Sequence, residues 1–458
     1  MIPMKPIYER YHIQAKEAPS KIRLPPKFTV KRLNNCVNVQ ECTQACIYEV
    51  HKTQEDGQMA EPFQDLCRGC FQCFLVCPKN AISIGINPTF EKLGNSYFTP
   101  DKIKTIYFEA ETGRVPVSGT GYRGPFTGKG FDSMWFDFSE IVRPTRDGIH
   151  GREYISTAVD IGRKLPHLQF DQNGNLLSSP PTTMEIPIPI IFDAPINSKT
   201  ARNIQIALAK AAAGLHTFAI VNAEEYTEDL IPFKTNLIPR INLDAIEEFE
   251  DLIRISRIVE LNFEDEEIRT LLEKIKTKNP SVLVSFRFPY DKKSGERAKT
   301  LTKLGADAIH FYVNDEVVEK NPDVTKNAIR SVHSYLVENA IRDEITLISS
   351  GGIAEASHVP KSIILGADAV SIGLPYQIAL GCKVCHGNRH AIDCPIKVED
   401  EDVEWAAQRI VNLIGSWRDQ LLEVLGGMGL REVRRQRSEM GRAMFYEDLD
   451  ARIFGDGE

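Results

Sequence analysis

The chain has 458 residues, 42% hydrophobic and 26% charged, a globular composition long enough for a barrel plus one or two small modules. Its net charge of −8 is spread over runs of either sign, such as the acidic 247–250 and the mainly basic 431–437, with no basic stripe to neutralise nucleic-acid phosphates. No apolar run approaches the roughly 20 residues that span a bilayer, and Met1 to Arg10 holds no signal-peptide core, so a cytoplasmic protein with no membrane span and no nucleic-acid partner is expected.

Taken in chain order, the first feature is a group of cysteines. Seven of the ten lie between Cys36 and Cys77, and the other three between Cys382 and Cys394. Disulfides are rare in a reducing compartment, where short-spaced cysteines usually bind metal. Cys67, Cys70, Cys73 and Cys77, followed by Pro78, have the ferredoxin spacing C-x2-C-x2-C-x3-C-P. Upstream, Cys36, Val39, Cys42 and Cys46 stand at the same intervals, with valine in one ligand position. By the crossed ligation of two-cluster ferredoxins, Cys46 joins Cys67, Cys70 and Cys73 on a 4Fe-4S cluster. Cys36, Cys42 and Cys77 are left for a second ferredoxin-type cluster: 3Fe-4S, 4Fe-4S with a non-cysteine ligand, or a degenerate site. A zinc site is the alternative reading. Residues 1–98 are thus expected to form a ferredoxin-like α+β iron–sulfur module with an N-terminal arm.

Residues 99–183 read as a linker and wrapping segment. Pro116 to Gly130 is rich in glycine and proline, and Asp171 to Thr183 carries Asn-Gly and Pro-Pro steps that mark a boundary. Ser139 to Arg152 packs three arginines and His150 among acidic residues, which fits either a solvated loop pairing its own charges or an anion contact.

From Pro187, β-rich runs alternate with helical stretches. Eight candidate strands are 188–192, 216–221, 237–241, 258–261, 282–286, 308–312, 346–349 and 369–372. Helical spacing marks 201–213, 243–255, 267–275 and 327–336. The connection after the second strand is too short for a full helix. The pattern predicts the α/β class and a (β/α)8 TIM barrel over 184–400, followed by a helical segment over 401–458.

Such barrels commonly bind phosphate on the loops after strands seven and eight. Strand seven ends in Ser349-Ser350-Gly351-Gly352-Ile353 and strand eight in Ser371-Ile372-Gly373, where glycines let backbone N–H groups close on a phosphate. Just beyond lie Cys382, Cys385 and Cys394, with Pro395 following. Three thiolates suit a 3Fe-4S cluster, and zinc with His386 or His390 is the alternative. A redox cluster beside a phosphate site points to a redox cofactor, and flavin mononucleotide (FMN) is the usual one in barrels. No G-x-G-x-x-G follows any candidate strand, which argues against a dinucleotide. Ala194, two residues past the first strand, and Arg287, a permanent cation near the end of the fifth, complete the candidate cofactor contacts.

Gly351-Gly352-Ile353, the run Leu365-Gly366-Ala367-Asp368-Ala369-Val370, and the three-cysteine site after Ala379-Leu380-Gly381-Cys382 together resemble the flavin-binding synthase domain of glutamate synthase, over about Pro187 to Pro395. With its N-terminal cysteine module the chain looks like the archaeal-type large subunit. The resemblance implies an FMN barrel, a three-iron cluster beside the flavin, and reduction of an iminoglutarate formed from 2-oxoglutarate and ammonia. By position, Ser350, Gly351, Gly352 and Gly373 match phosphate-binding residues, and Cys382, Cys385 and Cys394 match cluster ligands. The cysteine spacing departs from the family, C-x2-C-x8-C standing where C-x5-C-x4-C is usual.

Other departures fall on the substrate loops. Val221-Asn222-Ala223-Glu224-Glu225 and Tyr312-Val313-Asn314-Asp315-Glu316 replace glycine-rich loops of the family, and their acidic groups would repel a dicarboxylate. Two functions stay open: a glutamate synthase-like oxidoreductase reducing a small-molecule substrate, or an electron-transfer subunit of a larger redox assembly. Either needs a redox partner protein or a separate glutaminase or reductase subunit. The start Met1-Ile2-Pro3 has no N-terminal cysteine nucleophile, so no glutaminase activity is expected of this chain.

Overall fold

The computed structural model describes residues 11–116, 128–138, 154–164, 168–177, 181–195, 201–263, 268–384, 396 and 398–455. These divide into two compact units, one made of Ser20–Lys104 with a short piece after Cys382, the other of the remaining chain. Cys385, Cys394, His386, His390 and the segment 139–152 lie outside the described residues.

The smaller unit is built on one antiparallel pair, β1 (Phe28–Arg32) against β2 (Ile82–Ile86), with Val30 opposite Ile84. Between these strands run two very short helices, α1 (Glu41–Ala45) and α2 (Gln72–Leu75), and after them comes α3 (Pro88–Glu91). Helices of this length have no stability of their own. The first two are fixed by a core in which Cys42, Cys67 and Cys73 pack with Val30, Val50 and Ile82.

A 13-residue helix, α4 (Pro100–Thr112), follows in the stretch read from sequence as linker and wrapping. It buries Ile103, Ile106, Tyr107 and Ala110, spaced for one helical face. Three further strands precede the barrel: β3 (Met134–Phe136), β4 (Val159–Gly162) and β5 (Thr183–Ile186). β4 and β5 pair antiparallel beneath the barrel, where the amide of Gly162 donates to Thr346 Oγ1 at 3.0 Å.

The barrel is closed by eight parallel strands in chain order: β6 (Ile190–Phe192), β7 (Ala219–Asn222), β8 (Leu237–Ile241), β9 (Ile258–Asn262), β10 (Leu283–Pro289), β11 (Ala308–Tyr312), β12 (Thr346–Ser350) and β13 (Ala369–Ile372). Their apolar runs are buried on both faces, as a parallel sheet covered by helices requires. The covering helices are α5 (Ala201–Gly214), α6 (Glu250–Ile255), α7 (Ile268–Lys278), α8 (Ser294–Leu304), α9 (Asp315–Lys320), α10 (Asp323–Glu338), α11 (His358–Ile364) and α12 (Leu374–Ala379). The chain then forms α13 (Val403–Gly427), α14 (Val433–Gln436), β14 (Ala443–Phe445) and α15 (Tyr446–Phe454), and β14 pairs antiparallel with β3. Among the described residues no helix is long and apolar enough to cross a membrane.

The eight expected strands are all present, three of them with the expected ends (237–241, 308–312 and 369–372) and the other five with shifted ends. The second begins at Ala219, not His216, because His216 takes a left-handed φ of 54° and the Thr217 amide turns back to the Ala212 carbonyl to finish α5. The helix expected over 243–255 is two pieces, a 3₁₀ turn at Leu243–Ala245 and then α6. The short connection after strand two is spanned by 3₁₀ turns alone, Ala223–Glu225 and Glu228–Asn236.

Candidate functional site

At the mouth of the barrel, where the strands end, charged side chains interrupt the apolar runs. Paired residues on neighbouring parallel strands share a face, and the pairs Asn222–Arg240, Arg240–Glu260, Glu260–Ser285, Arg287–His310 and Tyr312–Ser350 carry one inward layer round the barrel. Arg240 sits at the centre of the charges. Its Nε donates to Glu260 Oε1 at 2.7 Å and its Nη2 to Asp193 Oδ1. The other oxygen of Glu260 meets His310 Nδ1 at 2.6 Å, and His310 Nε2 lies 3.0 Å from Ser350 Oγ. Tyr376 donates its hydroxyl to the Asp193 carbonyl at 2.9 Å.

Burial opposes ionisation of both acids, yet both stay ionised. Opposing that burial at Asp193, the guanidinium groups of Arg240 and Arg287 and the His310 ring hold its carboxyl well below the usual carboxylate range. At Glu260 the same contest, with His310 and Arg240 as the main counterweights to burial, brings the carboxyl down to about 2.

Most of the cofactor-contact residues expected from sequence surround this network. Ser350, Gly351 and Gly352 end β12, Gly373 follows β13, and Ala194 follows β6, its amide bonded to Asp193 Oδ1 at 2.8 Å. Arg287, on β10, stacks its guanidinium over the Tyr312 ring at 3.7 Å. Its Nε is buried without a hydrogen-bond partner, and so are Ser285 Oγ and Ser371 Oγ. Buried donors of this kind ordinarily have partners, so a ligand with acceptor atoms at the mouth fits them. A Cβ on Gly373 would meet nothing closer than 3.8 Å, which leaves room there for an oxyanion against the backbone.

The other two glycines answer to packing first. Gly351 has φ +91°, and a Cβ on it would stand 2.0 Å from the Val313 carbonyl oxygen; on Gly352 it would stand 2.6 Å from Thr325 Oγ1. Gly351→Ala is expected to lower stability by about 2 kcal/mol or more, through left-handed strain plus overpacking, as measured by urea denaturation. The loop is further clasped by His358, whose Nδ1 lies 3.1 Å from the Ala354 amide and 3.2 Å from the Gly352 carbonyl. On its other side His358 Nε2 faces Asp132 Oδ1 at 3.1 Å, and with Glu355 these offer one nitrogen and two oxygens within 4.8 Å, a set a divalent cation could use.

In the smaller unit the cysteines sort into two sets. Cys46, Cys67, Cys70 and Cys73 lie within electrostatic reach of one another: burial, then these neighbours, push the Cys73 thiol up to about 11, and Cys67 is raised in the same way. Cys36, Cys42 and Cys77 instead line one cavity together with Val39 and Arg32. Burial raises the Cys42 thiol, against the opposing pull of Arg32. Cys382 is half-buried in the larger unit.

Asp193, Arg240, Glu260 and His310 were not singled out from sequence. The signal was present as Ile-Pro-Arg-Ile, Ile-Val-Glu-Leu and Ala-Ile-His-Phe, three apolar strands each broken by one ionisable residue. A lone charge inside such a strand is costly unless a partner meets it, so breaks in nearby strands of one barrel imply pairing across its interior.

Residues 262–431 match the family model described as a conserved region in glutamate synthase. An archaeal-type glutamate synthase [NADPH] of Dehalococcoides mccartyi is 25% identical over 477 residues, covering 90% of this chain and 94% of that protein. An archaeal glutamate synthase [NADPH] of Archaeoglobus fulgidus is 23% identical, covering 94% and 96%. Among solved structures, a flavocytochrome b2 variant with sulfite bound is 10% identical at a TM-score of 0.45, covering 81% of this chain and 84% of that one.

Proposed function

The chain is a distant homologue of archaeal-type glutamate synthases, and from that premise we propose that it is an iron–sulfur flavoprotein oxidoreductase. Its ferredoxin-like N-terminal unit passes electrons to FMN at the barrel mouth for the reductive amination of 2-oxoglutarate. The observation that carries this reading is the sorting of seven cysteines into one set of four and one set of three around a cavity beside Val39. That division matches crossed ligation of a 4Fe-4S cluster by Cys46, Cys67, Cys70 and Cys73, and of a second cluster by Cys36, Cys42 and Cys77. A small unit with few apolar core residues also gains from such a staple. A third cluster, 3Fe-4S, is assigned to Cys382, Cys385 and Cys394.

Gly373, Ser371, Gly351, Gly352 and the nearby Ala194 would hold FMN at its phosphate end, with Ser350 at the edge of that cradle and its hydroxyl turned to His310, and with Arg287 offering a fixed cation to the flavin ring. When bound, the flavin supplies hydride transfer and converts single electrons from the clusters into pairs. The residues of the mouth bind and orient. Arg240 keeps Asp193 and Glu260 ionised, Tyr376 fixes the Asp193 backbone, and Gly351 keeps the loop in the only form that clears Val313. A separate subunit or partner protein would supply ammonia or electrons.

Anaerobic electron paramagnetic resonance is expected to show a reduced four-iron signal that disappears in Cys70→Ala, while the second centre differs in kind because of Val39. Two identical complete cubanes would contradict the ligand assignment. Heating should release FMN, identified by mass, and recovery of FAD would overturn the cofactor assignment. Flavin reoxidation by 2-oxoglutarate plus ammonia, set against buffer alone, tests the substrate.

A second reading has its own support. The loop after β7 presents Glu224 and Glu225, and Glu225 is held in place by Gln205 Nε2 at 2.6 Å. Acidic groups there disfavour a dicarboxylate and fit an electron-transfer subunit whose substrate differs. Reoxidation no faster than in buffer would select this reading.

A further inference from the structure

The buried groups of the mouth stand in a definite chemical order: carboxylate, imidazole, hydroxyl. Glu260 is 1% exposed, His310 0% and Ser350 5%. Glu260 is fixed on one oxygen by Arg240, so its other oxygen is an acceptor held as an anion, and a carboxylate anion can only accept. The proton between Glu260 and His310 therefore sits on Nδ1. When the ring is neutral Nε2 carries a lone pair and the contact at 3.0 Å is made by Ser350 donating its hydroxyl proton to His310; when the ring is protonated Nε2 donates to Ser350 Oγ and the ring carries the charge that faces Glu260. This is the arrangement in which a base, oriented by a carboxylate, takes the proton of a hydroxyl. Replacing such a buried polar chain by apolar side chains is often neutral or stabilising, so stability alone does not account for it.

We propose that Ser350, His310 and Glu260 form a proton relay at the barrel mouth, serving a small substrate whose nitrogen or hydroxyl gains or loses one proton as the adjacent carbon gains or loses a hydride. The proposal rests on the reading of the mouth as the reaction site and adds the acid–base group which that reading lacks. In the reductive direction an iminium carbon accepts the electron pair and hydrogen of a hydride from reduced flavin, and its C=N double bond becomes a single bond. The amine nitrogen so formed takes the hydroxyl proton of Ser350. Ser350 takes the Nε2 proton of the His310 imidazolium, which returns to the neutral ring, and Glu260 stays ionised throughout. In the oxidative direction every transfer is reversed. Ser350 touches the substrate, His310 stores the proton, and Glu260 is a positioning residue that fixes the tautomer.

Proton NMR of the full chain, with its histidine rings labelled with ¹⁵N, tests the relay without any turnover. The expected result is a far-downfield Nδ1–H signal from His310. It should be absent in His310→Gln and move toward ordinary imidazole in Glu260→Gln. In Ser350→Ala it should remain, while the Nε2 nitrogen shifts as it loses its donor. If His310→Gln does not fold, the signal is assigned through Ser350→Ala and Glu260→Gln. A proton found on Nε2, with Nδ1 bare, would overturn the proposal, because Ser350 could then not hand its proton over. In the enzymatic arm, with 2-oxoglutarate, ammonia and a strong artificial reductant, His310→Gln should lower kcat on the order of 10²–10⁴-fold with KM little changed. An unchanged kcat in that variant would also overturn the relay. Complete absence of turnover in the wild type counts against the substrate reading alone, and the NMR result then decides the relay by itself.

Discussion

Arg240→Met is expected to lower the stability of the chain by about 3–5 kcal/mol at neutral pH, the usual cost of removing one partner from a buried ion pair. Methionine fills much of the same space, so the loss comes from charge and not from a cavity. Asp193 and Glu260, at 16% and 2% side-chain exposure, would be left facing each other's field without the guanidinium that joins them. The pH dependence gives the diagnosis. In the wild type both carboxyls are depressed, so their contribution is fully present above the ordinary carboxylate value of about 4. It is lost as pH falls from there toward about 2, the value at Glu260. In the variant burial is offset only in part, by His310 and Arg287, so the carboxyls rise from their wild-type values and protonation relieves the variant at a higher pH than the wild type. The gap between variant and wild type should therefore narrow as pH is lowered from 7.5 to 5.5. Urea denaturation at the two pH values measures this, and a gap that stays constant or widens would refute the assignment.

The second large effect is expected at Glu109 on α4. Its carboxyl is buried, and burial pushes it up to about 7 in spite of three donors: Trp417 Nε1 at 3.0 Å, Gln420 Nε2 at 2.7 Å and Ser416 Oγ at 3.2 Å. An acid raised in this way binds its proton more tightly folded than unfolded. Stability is therefore highest below the ordinary value of about 4 and falls as pH rises through 7. At 1.36 kcal/mol per unit, the swing is about 3 kcal/mol. Glu109→Gln removes the ionisable group while keeping its shape, with Gln420 turning its amide over to match. The variant should be more stable than the wild type by about 2–3 kcal/mol at pH 8 and nearly equal at pH 5. Equal pH slopes in the two proteins would show that Glu109 is ionised in the fold.

The barrel was legible because each strand is a short apolar run and each cover a helical period, two local signals that need no knowledge of partners. The glycines after β12 were legible for a related reason, since a left-handed turn next to a neighbouring carbonyl leaves no other residue type. α4 was passed over although Ile103, Ile106, Tyr107 and Ala110 have helical spacing. The Gly- and Pro-rich stretch after it drew the whole region into one irregular segment. The ionic network was illegible for a different reason. Arg240 reaches back 47 residues to Asp193, and Glu260 meets His310 50 residues away, so each residue looked like an isolated interruption until closure of the barrel brought them together. Ser350 was read from its glycine neighbours as a phosphate contact, and the link from its hydroxyl to His310 was not legible there.

The pairing of β3 with β14 has a consequence for the order in which the molecule assembles. Around it the Arg442 guanidinium bonds the Asp137 carbonyl across 305 residues of chain, and Lys326 Nζ meets Glu447 Oε1 at 2.6 Å. Both strands are three residues long, too short to find each other as free segments, and closing so large a loop in an unfolded chain has an entropic cost that local contacts do not share. The cost is small once the barrel has already brought the two segments near. Folding should therefore run from the βα units outward, with this small sheet last. In pulse-labelling hydrogen exchange during refolding, the amides of 134–136 and 443–445 are then the late group, protected only after those of β8 to β12. The same two strands should be the first to open when the native protein is warmed, while the barrel beneath them is still intact.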